Sequence, residues 1–376
     1  MNKFKAACGR NIGLAAGFLI IIILLLIPTG YEDAVIYKSA QKSVARVIAV
    51  DNSAIISSGL IKSGEQNCTI EILNGRFKGV ITDGYNLLSG SLESDKIYKE
   101  GDKALVLISY SGDEILSVNM VDIYRIDKEI ILAAIFIVFL IGFAGKTGFY
   151  AIMSFVITVL SIWKILVPCC LKGVNPIYAS LATVTILTVI IIIFVYGADK
   201  RSLVASLGSM LGVITTCILG ICFTDYFQIH GAVMSYSETL LYSGYSTLNL
   251  TQIYMSSIFV GASGAMMDLS VDITSAVYEV VQKKPDISAK EAVKSGFNIG
   301  RAAMGTMTTT LLLAYSGGYI ALLMTFMAQG TPIINILNYK YVSAEILQTI
   351  VGSFGLVTVA PFTAIVAGVL LTKKNR

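Results

Sequence analysis

The stretch from residue 261 to residue 301 reads GASGAMMDLSVDITSAVYEVVQKKPDISAKEAVKSGFNIGR. Its first part ends an apolar segment that begins near Gln252, and its last part begins another apolar segment. Asp268, Asp272 and Glu279 are spaced so that they fall within about 40° on a helix that turns ~100° per residue. The pattern predicts one helix that carries small residues within a membrane and carboxylates where it leaves the membrane.

The composition places the chain among membrane proteins. It has 376 residues, of which 55% are hydrophobic and 14% are charged, and its mean hydropathy is +0.75. Soluble domains typically carry about 25% charged residues. Because several apolar runs have about the 20 residues that cross a bilayer as a helix, the sequence predicts a polytopic α-helical membrane protein.

About eight apolar segments are predicted to span the membrane. They divide the chain into an N-terminal anchor helix (1–30), an extracytoplasmic β domain (31–128) and a seven-helix membrane domain (129–376). The first segment has the short length and the preceding basic residues of a signal peptide, but no A-x-A-like site follows it, which favours an uncleaved anchor. The predicted spans are 12–28, 130–144, 149–167, 176–196, 202–223, 250–272, 303–327 and 343–371.

Residues 31–128 differ from the rest of the chain because their polar and apolar side chains alternate. Cys68, Ile70 and Ile72 alternate with polar residues, and Asn74-Gly75 offers a hairpin turn. Five or six strands predict a small closed or nearly closed β-barrel, with an OB-like arrangement as one option. That option raises nucleic-acid binding, but a clear basic and aromatic surface pattern is absent, so we expect no nucleic-acid partner. A cap or an assembly platform is the expected role.

The distribution of basic residues orients the predicted spans. With the N-terminus inside, fourteen Lys and Arg residues fall on the cytoplasmic side and four fall outside, not counting the β domain. The positive-inside rule therefore places both termini in the cytoplasm and the β domain outside. The inside set is Lys3, Lys5, Arg10, Lys146, Lys200, Arg201, Lys283, Lys284, Lys290, Lys294, Arg301, Lys373, Lys374 and Arg376, and the outside set is Lys128, Lys164, Lys172 and Lys340.

Asp268 and Asp272 are the leading candidates for a functional site. A rise of 1.5 Å per residue places Asp268 ~24 Å from Gln252, near the inner edge of a ~30 Å hydrocarbon core. An ionisable group at that depth is costly unless it is paired or hydrated, and such groups are often functional. The pattern Ser288-Ala289-Lys290-Glu291 predicts a helix that begins at Ser288 and carries Arg301 toward the membrane. Arg301 is a predicted partner of either acid, in a structural salt bridge or in a charge-coupled gate.

Asp268, Asp272 and Arg301 are candidates for a polar or ion pathway through the membrane. The other candidates are threonines and two sites of backbone irregularity. Thr306 and Thr309 belong to a run of hydroxyls that can satisfy helix carbonyls or bind a solute. Gly317-Gly318 and Pro361 are candidate helix breaks, and interrupted spans often mark transporter sites. A bend in each helix is the alternative, because Gly and Pro are common in membrane helices.

The sequence contains no motif for catalysis or metal binding. It has no G-x-S-x-G, no H-E-x-x-H and no dinucleotide fingerprint, and the string Gly145-Lys146-Thr147 lacks the upstream glycine of a P-loop. The single histidine, His230, and six scattered cysteines offer neither a His-based metal site nor a disulfide framework. We therefore expect no enzymatic activity, no cofactor and no metal.

Several segments resemble the YibE/F family of multi-pass bacterial membrane proteins. They are GASGAMMDLSVDITSAVYE, KSGFNIGRAAMGTMTTTLLLAYSGG and EILQTIVGSFGLVTVAPFTAIVAG. The β segment with NGRFKG and KEGDKALV is similar to the N-terminal region of that family, so the resemblance extends from residue 40 to residue 370. It implies a multi-pass architecture in a bacterial plasma membrane and supplies neither a substrate nor catalytic residues.

Two functional hypotheses follow from these patterns. The leading one is a transporter or permease for a small solute or ion, with proton coupling through Asp268 or Asp272. The alternative is a non-enzymatic assembly or sensing subunit whose β domain binds an extracytoplasmic protein partner. The expected partners are the lipid bilayer, a small solute or ion, and a second protein or a further copy of the chain.

Overall fold

The computed structural model describes residues 15–32 and 40–372. Contacts between residues divide the chain into two compact units. One unit is Tyr31–Phe143, and the other joins the segment up to Gly30 with the chain from Ala144 onward. The start of the first predicted span (12–14) lies outside the described residues, as do six of the basic residues in the charge argument, Lys3, Lys5, Arg10, Lys373, Lys374 and Arg376.

The first unit contains a closed β-barrel, as the alternating pattern predicts. Five strands form the ring in the order β1-β3-β4-β6-β5, and β1 closes it by pairing with both β3 and β5. All the ring pairs are antiparallel except β4 and β6, which are parallel where Tyr85 faces Asn119. The strands are β1 (Ala40–Asp51), β2 (Ile55–Ser58), β3 (Ile61–Ile72), β4 (Ile81–Ser89), β5 (Lys103–Ser111) and β6 (Glu114–Ile123).

The interior of the barrel is filled by one face of each ring strand. Cys68, Ile70 and Ile72 are buried, as their alternation predicts, because side chains of a strand point to opposite faces at successive positions. The connection from β3 to β4 is longer than a two-residue turn, and Asn74 within it accepts a hydrogen bond from the backbone N–H of Val44, 2.7 Å away. The predicted turn at Asn74 therefore also holds strand β1 in place.

The remaining elements are helices. In the part of the chain that the structure describes, these are α1 to α11, a π-helical turn at Ile162–Leu166 and two 3₁₀ turns, at Gly231–Val233 and Gly317–Tyr319. The helices are α1 (Ala15–Leu26), α2 (Ile126–Ser161), α3 (Val167–Leu171), α4 (Pro176–Tyr196), α5 (Lys200–Tyr226), α6 (Ser237–Tyr242), α7 (Leu250–Lys283), α8 (Ala289–Ser316), α9 (Ile320–Ala328), α10 (Ile333–Asn338) and α11 (Lys340–Thr372).

Five helical stretches of the described chain are long and apolar enough to cross a membrane by length and composition, so the chain has the make-up of a multi-pass membrane protein. The predicted count of eight is not confirmed. The predicted spans 130–144 and 149–167 lie in one 46-residue stretch, and α7 is not among the five because Gln, Ser and Gly residues dilute its apolar half. The five stretches are Ile126–Leu171, Pro176–Tyr196, Lys200–Tyr226, Ala289–Ala328 and Lys340–Thr372.

Within the second unit the long helices alternate in direction. α7 and α11 run in parallel, because Tyr254 at the start of α7 bonds to Ala344 at the start of α11. α5 runs oppositely, since Gly220 near its end lies against Met255 of α7. α8 also runs opposite to α11, because the first turns of α8 pack against the last turns of α11. The connection between α7 and α8 is short, whereas α6 lies between α5 and α7, and α9 and α10 lie between α8 and α11.

Candidate functional site

The centre of the helical unit is closely packed around α11. A methyl group added to Gly355 would lie 2.0 Å from the Thr216 hydroxyl oxygen and 2.2 Å from the Met266 methyl carbon. One turn further along α7, the Ser270 hydroxyl donates to the Ala205 carbonyl oxygen at 2.7 Å. Small residues let the helix backbones approach this closely.

Asp268 and Asp272 lie on the opposite side of α7 from this packed centre. Both side chains are exposed, while Leu269 and Ile273 beside them are fully buried. A methyl group added to Gly264, one turn before Asp268, would meet no atom within 4 Å. Asp268, Asp272 and Gly264 therefore share one exposed face of α7, whereas Gly261, at the start of the predicted stripe, lies against Tyr315 of α8.

The end of α7 that carries Asp272 is held by the α4–α5 connection. The Tyr196 hydroxyl donates to the carbonyl oxygen of Val271 at 2.5 Å and lies 2.6 Å from the Ser275 hydroxyl oxygen. The Arg201 guanidinium carbon is 5.0 Å from the Tyr196 ring centroid and 4.7 Å from that of Tyr278. Cation–π contacts and the hydrogen bond thus fix this part of α7.

Arg301 does not pair with the acids. It is exposed on α8, and within the described chain no ion pair joins it to Asp268 or Asp272. Its neighbour Gly300 faces Ile273, so Arg301 lies at the height of Asp272 along the bundle. The predicted salt bridge within one chain is thus absent, because the two helices turn these side chains outward and not toward each other.

The threonines of α8 bond to their own helix. The Thr306 hydroxyl donates to the carbonyl oxygen of Ala303 and the Thr309 hydroxyl to that of Gly305, each at 3.1 Å. The hydroxyl protons are therefore used by the backbone, while the oxygen lone pairs face outward on exposed residues.

The two candidate helix breaks have different outcomes. Gly317 and Gly318 lie in the 3₁₀ turn that ends α8 and leads into α9, and Gly317 keeps right-handed helical angles (φ −57°, ψ −35°). The chain changes helix type there without unwinding. The predicted break at Pro361 is wrong, because α11 continues through Pro361 to Thr372. A proline is tolerated inside a membrane helix when neighbouring helices cover the backbone groups that it leaves without an intrahelical hydrogen bond.

The 3₁₀ turn borders a cavity that the sequence pattern did not reveal. The cavity has a volume of about 290 Å³ and lies between the α8–α9 segment and the first turns of α11. Its lining includes Tyr319 and Glu345, and its surface is almost entirely apolar. The sequence did carry a signal, because Glu345 is the only charged residue in the predicted span 343–371. Ionisable groups inside membrane spans are functional candidates by default.

One face of α8 connects two predicted residues with this cavity. Arg301, Gly305, Thr309, Leu312 and Ser316 follow at intervals of three or four, which places them on one side of a helix. Leu312 and Ser316 line the cavity. The predicted polar positions of α8 therefore lead along the helix surface to the cavity wall.

Within the described chain, no group of three or more His, Cys, Asp and Glu side chains is placed to hold a metal ion. The polar groups of the site are thus the separate carboxyls of Asp268, Asp272 and Glu345, the hydroxyl of Tyr319 and the guanidinium of Arg301. Each of these carboxyl groups can take up and release a proton.

Comparison with known proteins gives two family matches. The family described as YibE/F-like protein matches residues 132–373, and the one described as YibE/F family N-terminal domain matches residues 36–123. No curated protein matches the chain. No solved structure matches it either.

Proposed function

The chain belongs to the YibE/F family, and we propose that it is a membrane transporter for a small solute or ion. The observation that carries this proposal is Glu345, an acidic residue of the apolar helix α11 that borders a cavity beside a change of helix type. Transporter sites are commonly built where spanning helices are interrupted, because freed backbone and polar side chains then meet within the membrane.

We also propose that the chain crosses a bacterial plasma membrane eight times, with the barrel outside. Support comes from Gly145, whose angles (φ 56°, ψ −124°) leave the helical region and divide the 46-residue stretch into two segments. α7 supplies a further span, since its 34 residues extend ~51 Å, and α1 supplies the first. Cysteine labelling from outside intact cells at Ser94 and at Asp286 tests this topology, and labelling at Asp286 contradicts it.

Asp268 and Asp272 fit a proton-coupling role within this proposal. They are ~21 Å and ~27 Å along α7 from Tyr254, which bonds to the residue before Glu345, so the acids lie at a different depth from the cavity. Exposed carboxylates at membrane depth require water or a partner. We propose that water reaches them and that protons pass there while solute occupies the cavity.

The test is transport by the full chain in proteoliposomes that enclose a pH-sensitive dye. Solutes from three classes, inorganic cations, quaternary amines and carboxylates, are added outside, and solute-driven proton movement is recorded. We expect Asp268→Asn, Asp272→Asn and Glu345→Gln to abolish the movement, whereas Glu279→Gln retains it because Glu279 lies near the end of α7. No movement above that of empty vesicles, or unchanged flux and pH dependence in the three variants, contradicts transport.

A second candidate function is an assembly or sensing subunit whose barrel binds an extracytoplasmic protein. The observation that favours it is exposed apolar surface on neighbouring strands, because large exposed apolar patches mark interaction sites. Ile56, Leu60, Ile61, Ile81 and Leu87 are each about half or more exposed. Crosslinking from this surface in cells separates the two functions, since a stoichiometric protein partner favours assembly and its absence favours a self-sufficient transporter.

We propose, in addition, that the barrel is OB-like. The ring order β1-β3-β4-β6-β5 with one parallel pair supports this, since it matches a five-stranded Greek-key barrel with β2 as an added hairpin strand. An experimental structure of the full chain tests this proposal, and a different ring order would contradict it.

A further inference from the structure

We propose that two copies of this chain associate in the membrane through α7 and α8, with two acids of α7 in each copy paired to two bases of α8 in the other. The acids are Asp272 and Glu279, and the bases are Arg301 and Lys294. Association is measured without flux, so this interface goes beyond the proposed transport and does not depend on it.

The acids and the bases have the same spacing on their helices. Asp272 and Glu279 are seven residues apart on α7, and Lys294 and Arg301 are seven residues apart on α8. Seven residues make nearly two helical turns, or ~10.5 Å, so each pair lies on one face of its helix. All four residues are exposed. Each helix therefore presents two like charges outward at one interval.

The deeper acid and the deeper base lie at one height. A methyl group added to Gly300 of α8 would lie 3.2 Å from the Ile273 side chain of α7. Arg301 follows Gly300, and Asp272 precedes Ile273. Because α7 and α8 run in opposite directions, both steps lead away from the connection between the two helices. Arg301 is therefore level with Asp272.

The second acid and the second base are level as well. A methyl group added to Gly296 of α8 would lie 3.1 Å from the Val277 side chain of α7. Lys294 and Glu279 each lie two residues from this contact, and both lie on the side of the α7–α8 connection. The two acids of α7 thus match the two bases of α8 in height, one to one.

These charges are not paired within one copy. In the part of the chain that the structure describes, no ion pair includes Asp272, Glu279, Lys294 or Arg301. A charge close to the hydrocarbon core is costly without water or a partner. A surface that carries both signs at equal heights offers such partners to a second copy of itself.

The acids and the bases lie on opposite sides of α8. Arg301 shares a helix face with Leu312 and Ser316, which line the cavity on the α11 side of α8. Asp272 lies on the other side, on the exposed face of α7 near Tyr196 of α4. α8 thus separates the basic side of this surface from the acidic side.

A two-fold axis along the membrane normal, in front of α8, pairs the two sides. Rotation by 180° about this axis keeps every residue at its depth, and it places the acidic side of one copy against the basic side of the other. Small residues at the exposed middle of α8 permit the two α8 helices to approach closely. They are Ala302, Gly305, Thr306 and Thr309.

Co-capture of two differently tagged full-length copies from one membrane tests the interface. Both copies are expressed together and solubilised in a mild detergent, and membranes mixed after separate expression give the background. We expect co-capture of wild type. Asp272→Arg in both copies, or Arg301→Asp in both copies, is expected to lower co-capture at least about tenfold, because like charges then face each other. Glu238→Arg, a charge reversal at an exposed acid of α6, is expected to match wild type.

Mixing the two variants shows whether the contact is between copies. When one copy carries Asp272→Arg and the other carries Arg301→Asp, opposite charges face each other again on both sides of the axis. We therefore expect co-capture to return to the wild-type level. A chain that carries both substitutions is expected to pair with itself, which also shows that the substitutions permit folding.

Wild-type copies that are not co-captured above background would overturn the proposal. Single variants captured as well as wild type would overturn it, as would a mixed pair captured no better than each variant alone. A different protein that co-purifies with wild type in place of the second copy, and is lost from Arg301→Asp, would assign the surface to that protein and overturn the pairing of two copies.

Gly305→Leu keeps the proposal testable if the charge variants fail to fold. A methyl group added to Gly305 would meet no atom of its own copy within 4 Å, so a larger side chain at this position points away from the packed centre. We expect it to separate the two α8 helices and to lower co-capture at least about tenfold. Co-capture of Gly305→Leu at the wild-type level would contradict an interface through α8.

Discussion

The hydroxyl of Tyr254 in α7 donates a hydrogen bond of 2.6 Å to the carbonyl oxygen of Ala344 in α11. Both residues are buried, and Glu345 is the next residue of α11. The bond fixes the two parallel helices in register at the level of the cavity. This hydrogen bond and the close packing of Gly352 and Gly355 against α7 together set the height of Glu345 relative to α7.

Tyr254→Phe removes this donor and keeps the ring. We expect the free energy of unfolding of the full chain in detergent to fall by about 1 kcal/mol, the usual contribution of one hydrogen bond. The control is Tyr226→Phe, whose side chain is 81% exposed. Equal stability of Tyr254→Phe and wild type would show that the bond does not hold the register.

Gly355→Ala tests the close packing around α11. The added methyl would lie 2.0 Å from the Thr216 hydroxyl oxygen, so helices must shift, and overpacking of this kind typically costs about 1–3 kcal/mol. Gly264→Ala is the matched control, since its methyl group meets no atom within 4 Å and alanine favours helix. Thermal unfolding in detergent is the measurement. A Gly264→Ala protein that loses as much stability as Gly355→Ala would mean that Gly264 faces another molecule.

A buried amide holds the loop before β5 onto the barrel. Gln66 is fully buried, and its Nε2 donates to the Tyr98 carbonyl oxygen at 2.9 Å and to Asn52 Oδ1 at 2.7 Å. Its Oε1 accepts from the Tyr98 N–H at 3.0 Å and from Asn86 Nδ2 at 3.1 Å. One side chain thus satisfies four polar groups.

Gln66→Leu leaves buried groups of this network without partners. Each unsatisfied group costs about 1–3 kcal/mol, so we expect the loop to open and trypsin to cleave the full chain faster at Lys99. Asn119→Leu is the control, because Asn119 is an exposed strand residue. Cleavage at Lys99 that is equally slow in wild type and Gln66→Leu would refute the role of the network.

Acid pH is expected to loosen the loop that follows β4. Hydrogen bonds from Ser89, through its backbone and hydroxyl, and from the N–H groups of Gly90 and Ser91 lower the pKa of Asp95 below its ordinary 3.8. A carboxyl with a lowered pKa adds stability above its unfolded-state pKa, and that stability is lost as pH falls through the folded-state pKa.

Hydrogen exchange of the Gly90 and Ser91 amides, corrected for intrinsic rates, measures this effect. Protection is expected to fall below pH 3.8 in wild type and to be low at every pH in Asp95→Asn. Glu93→Gln, an exposed acid of the same loop, is expected to behave as wild type. Protection that does not change with pH in wild type would contradict the prediction.

Local patterns in the sequence were enough to predict the barrel, the single helix of Asp268 and Asp272, and the start of α8. The Ser288–Glu291 pattern indeed forms a capping box. These features depend on side chains a few residues apart along one strand or helix, so periodicity and turn chemistry reveal them. Family membership was also readable from the sequence, because the matching segments cover most of the chain.

Which faces of two helices meet could not be predicted in the same way. The sequence predicted that Arg301 lies at about the same height along the bundle as Asp268 and Asp272. It could not show that α7 and α8 turn these three side chains outward. It marked Pro361 as a candidate break, yet α11 stays helical through this residue. It contained Glu345 as the sole charge of its span without indicating that Tyr319 lies beside it.

The sequence by itself thus determined the membrane class of the chain, the alternating strands of the barrel and the helix faces on which polar groups stand. Only the tertiary structure decided which faces meet, and with that the cavity at Glu345 and the exposure of Asp268 and Asp272. The physical reason is that periodicity is set by the backbone within one element. The rotation and height of one helix against another depend on the packing of small residues from several distant segments.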